Sequence, residues 1–84
     1  MRYSIQFTPN AQRDLGRLSP EISRRVELKI ERLRDNLVGD VKRLRNFAPR
    51  YRLRVGDWRV LFEIEGQGDC IVVYHVSHRS EAYE

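Results

Sequence analysis

The sequence predicts an α+β domain in which two N-terminal helices pack on one face of a mainly antiparallel four-stranded sheet, in the order β-α-α-β-β-β. Two observations lead to this fold class. The first half of the chain has one short alternating segment followed by two helical apolar stripes. In the second half, apolar and polar residues alternate again, and two glycine-containing turns interrupt the alternation. The length of 84 residues fits one domain over 1–84.

The first half begins with a half-buried strand, because apolar and polar residues alternate over 3–7. Thr8-Pro9 and Ser19-Pro20 each have the N-cap and first-turn proline of a helix start. The helix after Pro20 carries an apolar stripe at helical spacing. The stripe consists of Ile22, Val26, Ile30, Leu33 and Leu37. Gly39 is predicted to end this helix, and the two helices are predicted to form an antiparallel hairpin.

The second half is predicted to contain a tight β-hairpin at Gly56-Asp57, because glycine can take the positive φ that such a turn requires. This loop fixes the register and places six apolar residues on the helix-facing side. They are Tyr51, Leu53, Val55, Trp58, Val60 and Phe62. After a second turn at 66–69, the last strand is predicted to begin at Cys70. The first strand is expected to pair with a strand of this half.

The same register places Arg54 opposite Arg59 on the other face, with Arg52 opposite Leu61. Directly opposed like charges are unfavourable, and a polyanion such as a phosphodiester backbone would relieve the repulsion. We therefore interpret this face as a phosphate site. The alternative is that Arg52 and Arg54 form the solvated side of an exposed antiparallel sheet.

Charge is distributed unevenly along the chain. Lys and Arg number 16 against 12 Asp and Glu, which gives a net charge of +4 and a pI of about 9.7. Residues 42–59 hold seven cations and only Asp57 against them, a balance of +6. This segment therefore predicts an anionic partner. The cations that precede the arginine face are Lys42, Arg43, Arg45 and Arg50.

Other classes are disfavoured by what the sequence lacks. Cys70 is the single cysteine and provides neither an internal disulfide nor a metal-ligand spacing. No apolar run approaches the length of a membrane span, and the first ten residues lack the apolar core of a signal peptide. An intracellular, cytoplasmic protein is expected. His75, within an apolar strand, is interpreted as structural, whereas His78 in the polar tail can exchange protons near neutral pH.

The order of motifs resembles the RelE toxins of bacterial toxin–antitoxin systems, in the RelE/ParE superfamily. The similarity covers nearly the whole chain, from the strand-helix-helix start through Leu44-Arg45. It continues with the motifs Tyr51-Arg52-Leu53-Arg54, Trp58-Arg59-Val60 and His78-Arg79 with Tyr83.

The resemblance implies a metal-independent endoribonuclease without a cofactor. Such toxins enter the ribosomal A site and cut messenger RNA by attack of its own 2′-hydroxyl, leaving a 2′,3′-cyclic phosphate. It also implies a RelB-like antitoxin with an acidic toxin-binding segment. The toxin–antitoxin complex would bind operator DNA through the antitoxin, and no membrane is involved.

The resemblance also assigns roles to residues. The catalytic set is Arg54, Arg59, Arg79, Tyr83 and His78. The RNA-binding set is Lys42, Arg43, Arg45, Arg50 and Arg52. Arginines suit phosphate through their forked contacts, but their high pKa makes Arg54 a poor general base where relatives often carry lysine. Tyr83 would orient or deprotonate the nucleophile, or stack on a base, and His78 would share the acid role. Two alternatives stay open: a ParE-like toxin that inhibits DNA gyrase by binding, and an inactive RNA-binding relative.

Overall fold

A computed structural model describes residues 2–81 of the chain. In this part, two α-helices pack on one face of a five-stranded sheet, so the predicted α+β class is confirmed. The helices are α1 (Pro9–Gly16) and α2 (Pro20–Glu31), and a 3-10 turn follows at Arg32–Arg34. The strands are β1 (Ser4–Phe7), β2 (Asp40–Arg43), β3 (Tyr51–Val55), β4 (Trp58–Glu65) and β5 (Cys70–His78).

Both helices begin where the sequence predicts. The hydroxyl of Thr8 accepts the backbone N–H of Ala11, and that of Ser19 accepts the N–H of Ile22, which caps each helix ahead of its proline. The predicted end of the second helix at Gly39 is wrong. The α-helix stops at Glu31, and Leu37 has a φ of 58°, so the apolar spacing continues through a segment that is no longer α-helical.

The sheet order is β1-β5-β4-β3-β2, with β1 parallel to β5 and the other neighbours antiparallel. The first strand therefore pairs with a strand of the second half, as expected. The predicted count of four strands is wrong because β2 was missed. In β2 only Val41 is apolar, and this edge strand is defined by its pairing with β3 rather than by an alternating pattern. Among residues 2–81, no helix is long and apolar enough to cross a membrane.

The register of the β3–β4 hairpin is confirmed at every predicted pair, including Arg54 with Arg59 and Arg52 with Leu61. Gly56 has the positive φ, 59°, that the turn prediction requires. The helix-facing side meets the helices in one core that includes Val26, Ile30 and Leu33. The face opposite the helices, called here the outer face, therefore carries the arginines.

A β-bulge changes the direction of the side chains at the end of β5. Phe62 pairs with Val73, but the preceding residue of β4, Leu61, pairs with His75, so Tyr74 is the extra residue. Val73 and Val76 consequently both lie in the core although they are three positions apart. His75 therefore lies within β5, as the sequence predicts, but its side chain is exposed on the outer face.

Side chains of α1 cover the edge of β5 beyond its pairing with β1. The Asp14 carboxylate accepts the backbone N–H of Val76 at 3.0 Å. Thr8 and Asn10 donate to the carbonyl of Tyr74 at 3.3 and 3.4 Å. These contacts satisfy edge groups that an unpaired strand would leave open, and they attach α1 to the strand that carries His75.

Candidate functional site

The cross-strand registers arrange the outer face in two transverse rows. The row nearer the β3–β4 turn runs across four strands through Asp40, Arg54, Arg59 and Ser77. The next row runs through Lys42, Arg52, Leu61 and His75. We call the first of these the arginine row. The structure thus brings Arg52, Arg54 and Arg59 onto one face, as the hairpin register predicts.

Asp40 supplies a carboxylate that sequence reasoning missed. Its Oδ1 accepts from Arg52 Nη1 at 3.3 Å, and its Oδ2 lies 3.5 Å from Arg54 Nε. The backbone carbonyl of Asp40 also accepts from Arg52 Nη1, at 3.1 Å. The Arg52 side chain is only 11% exposed, whereas that of Arg54 is 56% exposed. Arg54 is therefore the more available cation of the two.

Arg59 and Arg79 lie at the turn that closes the hairpin. Arg59 Nη1 donates to the carbonyls of Gly56 and Trp58 at 3.0 and 3.1 Å. The backbone N–H of Arg79 donates to the carbonyl of Asp57 at 2.7 Å, and its Nε lies 3.8 Å from the Asp57 carboxylate. The two arginines that come from β4 and from the end of β5 are therefore held at the same end of the sheet.

The remaining predicted catalytic residues are placed differently. His78 pairs with Trp58 in the β4–β5 ladder, and their rings meet edge to face with centroids 5.3 Å apart. Trp58 belongs to the helix-facing side, so the structure does not bring His78 to the arginine row. The His78 Nδ1 lies 3.1 Å from the Ser80 hydroxyl. Tyr83 lies outside the described residues.

The predicted RNA-binding cations other than Arg52 divide into two groups. Lys42, Arg43 and Arg45 are exposed along β2 and the segment after it. Arg50 is bound to Glu63 through both its backbone N–H, at 2.9 Å, and its Nε, at 3.0 Å. This hydrogen bonding raises the pKa of the Arg50 guanidinium. Arg50 therefore fixes the segment before β3 to β4, and its charge is partly neutralised.

The other end of the outer face is acidic. Glu63 and Glu65 follow Arg59 and Leu61 at alternate positions of β4, so they share the outer face with them. The Tyr74 hydroxyl donates a hydrogen bond to Glu65, which raises the pKa of the Tyr74 phenol. The charge of the outer face thus changes sign along β4, from cationic at the hairpin turn to anionic at the far end. A phosphate would be attracted to the turn end.

A family model supports the superfamily assignment. The model of the ParE toxin of the type II toxin–antitoxin system parDE matches residues 5–83. Toxin RelG of Mycobacterium tuberculosis is 35% identical over 89 residues, covering 99% of this chain and 98% of that protein. The family match and this relative both extend over almost the full chain.

Solved structures of toxin–antitoxin complexes also resemble this chain. The RelBE2 toxin–antitoxin complex from Mycobacterium tuberculosis superposes with a TM-score of 0.79 at 32% identity, covering 94% of this chain and all of that one. The RelB–RelE complex from Methanococcus jannaschii gives 0.74 at 30%, covering 93% and 94%. The chain therefore belongs to the RelE/ParE superfamily of type II toxin–antitoxin toxins. Within that class it is a RelE-like toxin.

Proposed function

We propose that this toxin is a ribosome-dependent endoribonuclease that cuts messenger RNA in the ribosomal A site and so inhibits translation. The observation that carries the proposal is the arginine row: Arg54 and Arg59 are direct partners on one face, and Arg79 adjoins the same turn. A purely structural sheet gains nothing from opposed arginines. A scissile phosphodiester, whose charge grows in the transition state, would be stabilised by them.

The proposed reaction needs no metal or cofactor. The 2′-oxygen of the RNA attacks the adjacent phosphorus, the bond from phosphorus to the 5′-oxygen breaks, and a 2′,3′-cyclic phosphate forms. The 2′-hydroxyl loses a proton and the leaving 5′-oxygen gains one. Arg54, Arg59 and Arg79 stabilise the phosphorane charge through forked contacts. Arginine side chains stay protonated at neutral pH and therefore cannot accept the proton as a general base. Tyr83 is instead proposed to orient or deprotonate the 2′-hydroxyl.

We also propose that a RelB-like antitoxin with an acidic toxin-binding segment neutralises this toxin, and that their complex binds operator DNA through the antitoxin. The support is that two structural relatives at 30% identity or above are complexes of RelB and RelE type. The net charge of +4 fits an acidic partner. The proposed setting is the cytoplasm, where ribosomes and the operon are accessible.

The test is primer extension on messages in a translating extract supplied with the purified toxin. Wild-type protein is expected to produce cuts in phase with codons. Arg59→Ala and Arg79→Ala should each reduce the cutting rate by about 10²- to 10³-fold, the cost of losing one charge-stabilising donor. Arg24→Ala, which removes an exposed arginine of α2, is the matched control and should cut normally. An Arg59→Ala protein that cuts messages as fast as the wild type would refute the proposed role of the arginine row.

The second candidate is inhibition of DNA gyrase by binding, and the match to the ParE toxin model favours keeping it. A supercoiling assay with purified gyrase distinguishes the two functions. Loss of supercoiling together with intact messages in the extract would support gyrase inhibition. Codon-phased cuts together with normal supercoiling would support the endoribonuclease.

A further inference from the structure

A cleft of about 610 Å³ adjoins the arginine row and is not used by the chemistry described above. It lies between α1, the segment before β3 and the C-terminal half of β5. Its walls include Asn10, Asp14, Phe47, Leu61, His75 and Ser77. Leu61 is only 5% exposed and supplies an apolar floor on the outer face.

The cleft meets the arginine row at Ser77, which is the direct cross-strand partner of Arg59. Leu61 is two residues beyond Arg59 on β4 and therefore about 6.7 Å from it along the strand. A group bound over Leu61 would thus be a close neighbour of a phosphate bound at Arg59. The separation between Arg59 and Leu61 would allow a phosphate and a nearby base of one extended RNA strand to bind at the two positions.

His75 lines this cleft on the outer face, to which the bulge at Tyr74 moves it, and Asn10 contacts its ring. Asn10 Nδ2 lies 2.7 Å from His75 Nδ1. The orientation of the Asn10 amide follows from its other partners: Oδ1 accepts from Arg13 at 3.4 Å, and Nδ2 donates to the Tyr74 carbonyl. The His75 Nδ1 therefore accepts from Asn10, and in the neutral ring Nε2 carries the proton. Nε2–H is then a donor of fixed direction.

The electrostatics of the cleft favour a neutral ligand over a second phosphate. Asp14 and Glu81 both line it, and Arg17 is placed 4.0 Å from the Asp14 carboxylate. Carboxylates repel phosphate but accept hydrogen bonds from exocyclic amino groups. The apolar floor and the ring of Phe47 suit the flat face of a nucleobase, which proteins commonly bind by stacking.

We propose that this cleft binds one base of the RNA strand whose phosphate occupies the arginine row, and that His75 Nε2–H donates to an acceptor on the edge of that base. His75 is thus a specificity-determining residue, and Asn10 is its positioning residue. This inference rests on the proposed endoribonuclease function. It adds that the neighbouring cleft binds a base of the RNA substrate.

The first test compares the bases found at the cut sites for wild type, His75→Leu and His75→Gln in the translating extract. His75→Leu should reduce discrimination between bases by about 2- to 12-fold, the equivalent of one net hydrogen bond. His75→Gln retains an N–H donor and should restore part of it. Asn10→Ala should act like His75→Leu but more weakly. Cut-site preferences identical in wild type and His75→Leu would overturn the inference.

The second test does not need the ribosome. Imidazole nitrogen resonances of His75 are followed by NMR while each of the four nucleoside monophosphates is added to the intact protein. The expected result is a shift at His75 that depends on the base and is lost in Asn10→Ala. Shifts confined to the arginine side chains would overturn the inference. Base-dependent shifts at His75 in a protein that cuts no message would support the base site and refute the endoribonuclease.

Discussion

Arg54 of β3 and Arg59 of β4 are direct cross-strand partners on the sheet face that points away from the helices. Each guanidinium has an acceptor within the protein. Arg54 lies 3.5 Å from the Asp40 carboxylate, and Arg59 donates to the carbonyl oxygens of its own turn. The repulsion between the two arginines is therefore reduced, and their side chains are positioned before any ligand arrives. Such preorganisation lowers the entropic cost of binding.

Asp40→Asn should strengthen binding to ribosomes carrying messenger RNA. The carboxylate competes with phosphate for Arg52 and Arg54, and its removal leaves one more net positive charge on the face. One charge at contact distance in water is worth about 1 kcal/mol, or about fivefold in affinity. Asp35→Asn is the control, because the Asp35 carboxylate binds Arg2 instead. Affinities measured by sedimentation that are unchanged or lower in Asp40→Asn would contradict this competition.

Lys42 and Arg52 should differ in their contribution to salt dependence, although they are neighbours in one row. Lys42 is exposed, while Arg52 is mostly covered and bound to Asp40. Each phosphate contact on single-stranded RNA contributes about 0.7 to the slope of log affinity against log salt. Lys42→Ala should lower the steepness by about that amount and Arg52→Ala by less. Equal slopes for the two variants would argue against the arrangement seen here.

The pair of Tyr74 and Glu65 predicts a titration at high pH. Because the pKa of Tyr74 is raised in the folded protein, this pair stabilises the fold below the usual tyrosine pKa of about 10. The contribution is lost as pH rises through the folded value. Ultraviolet titration of tyrosinate should show a late-titrating component that is missing in Tyr74→Phe. Glu65→Gln should bring that group back towards about 10, and a late group that survives in Tyr74→Phe would rule out the assignment.

Two glycine substitutions should have opposite effects on the free energy of unfolding. Gly56→Ala places a Cβ on a residue with a φ of 59° and 2.9 Å from Arg25 Nη2, so it should cost about 1–2 kcal/mol. In Gly16→Ala the Cβ meets nothing within 4 Å, and the helical end of α1 should gain about 0.4–1 kcal/mol. Urea unfolding of both variants tests the difference, and a Gly56→Ala protein as stable as Gly16→Ala would refute it.

The local turn chemistry made the centre of the fold predictable. Gly56 allows the tight turn, and the alternation on both sides of it leaves one register that places six apolar residues on the helix-facing side. That register alone placed Arg54 opposite Arg59. The strand β2 could not be predicted in the same way, because an edge strand with one apolar residue forms through its partner's hydrogen bonds rather than through its own pattern.

The bulge explains what the sequence could not show about the site. Strict alternation from Ile71 through Val73 places His75 in the core, and the extra residue Tyr74 moves it to the outer face. No residue type in this segment predicts a bulge, because its valines and its aromatic residue are equally typical of a regular strand. Asp40 was missed for a related reason, because its place beside Arg54 depends on β2.

The contacts of α1 with the edge of β5 also bear on how this edge could pair with another strand. Asp14 occupies the N–H of Val76, and Thr8 and Asn10 occupy the carbonyl of Tyr74, so two groups that a foreign strand would bind are already taken. An uncovered edge of this apolar strand would be a template for fibril growth. These contacts therefore disfavour strand addition at this end of β5, while Arg54 on the outer face stays exposed.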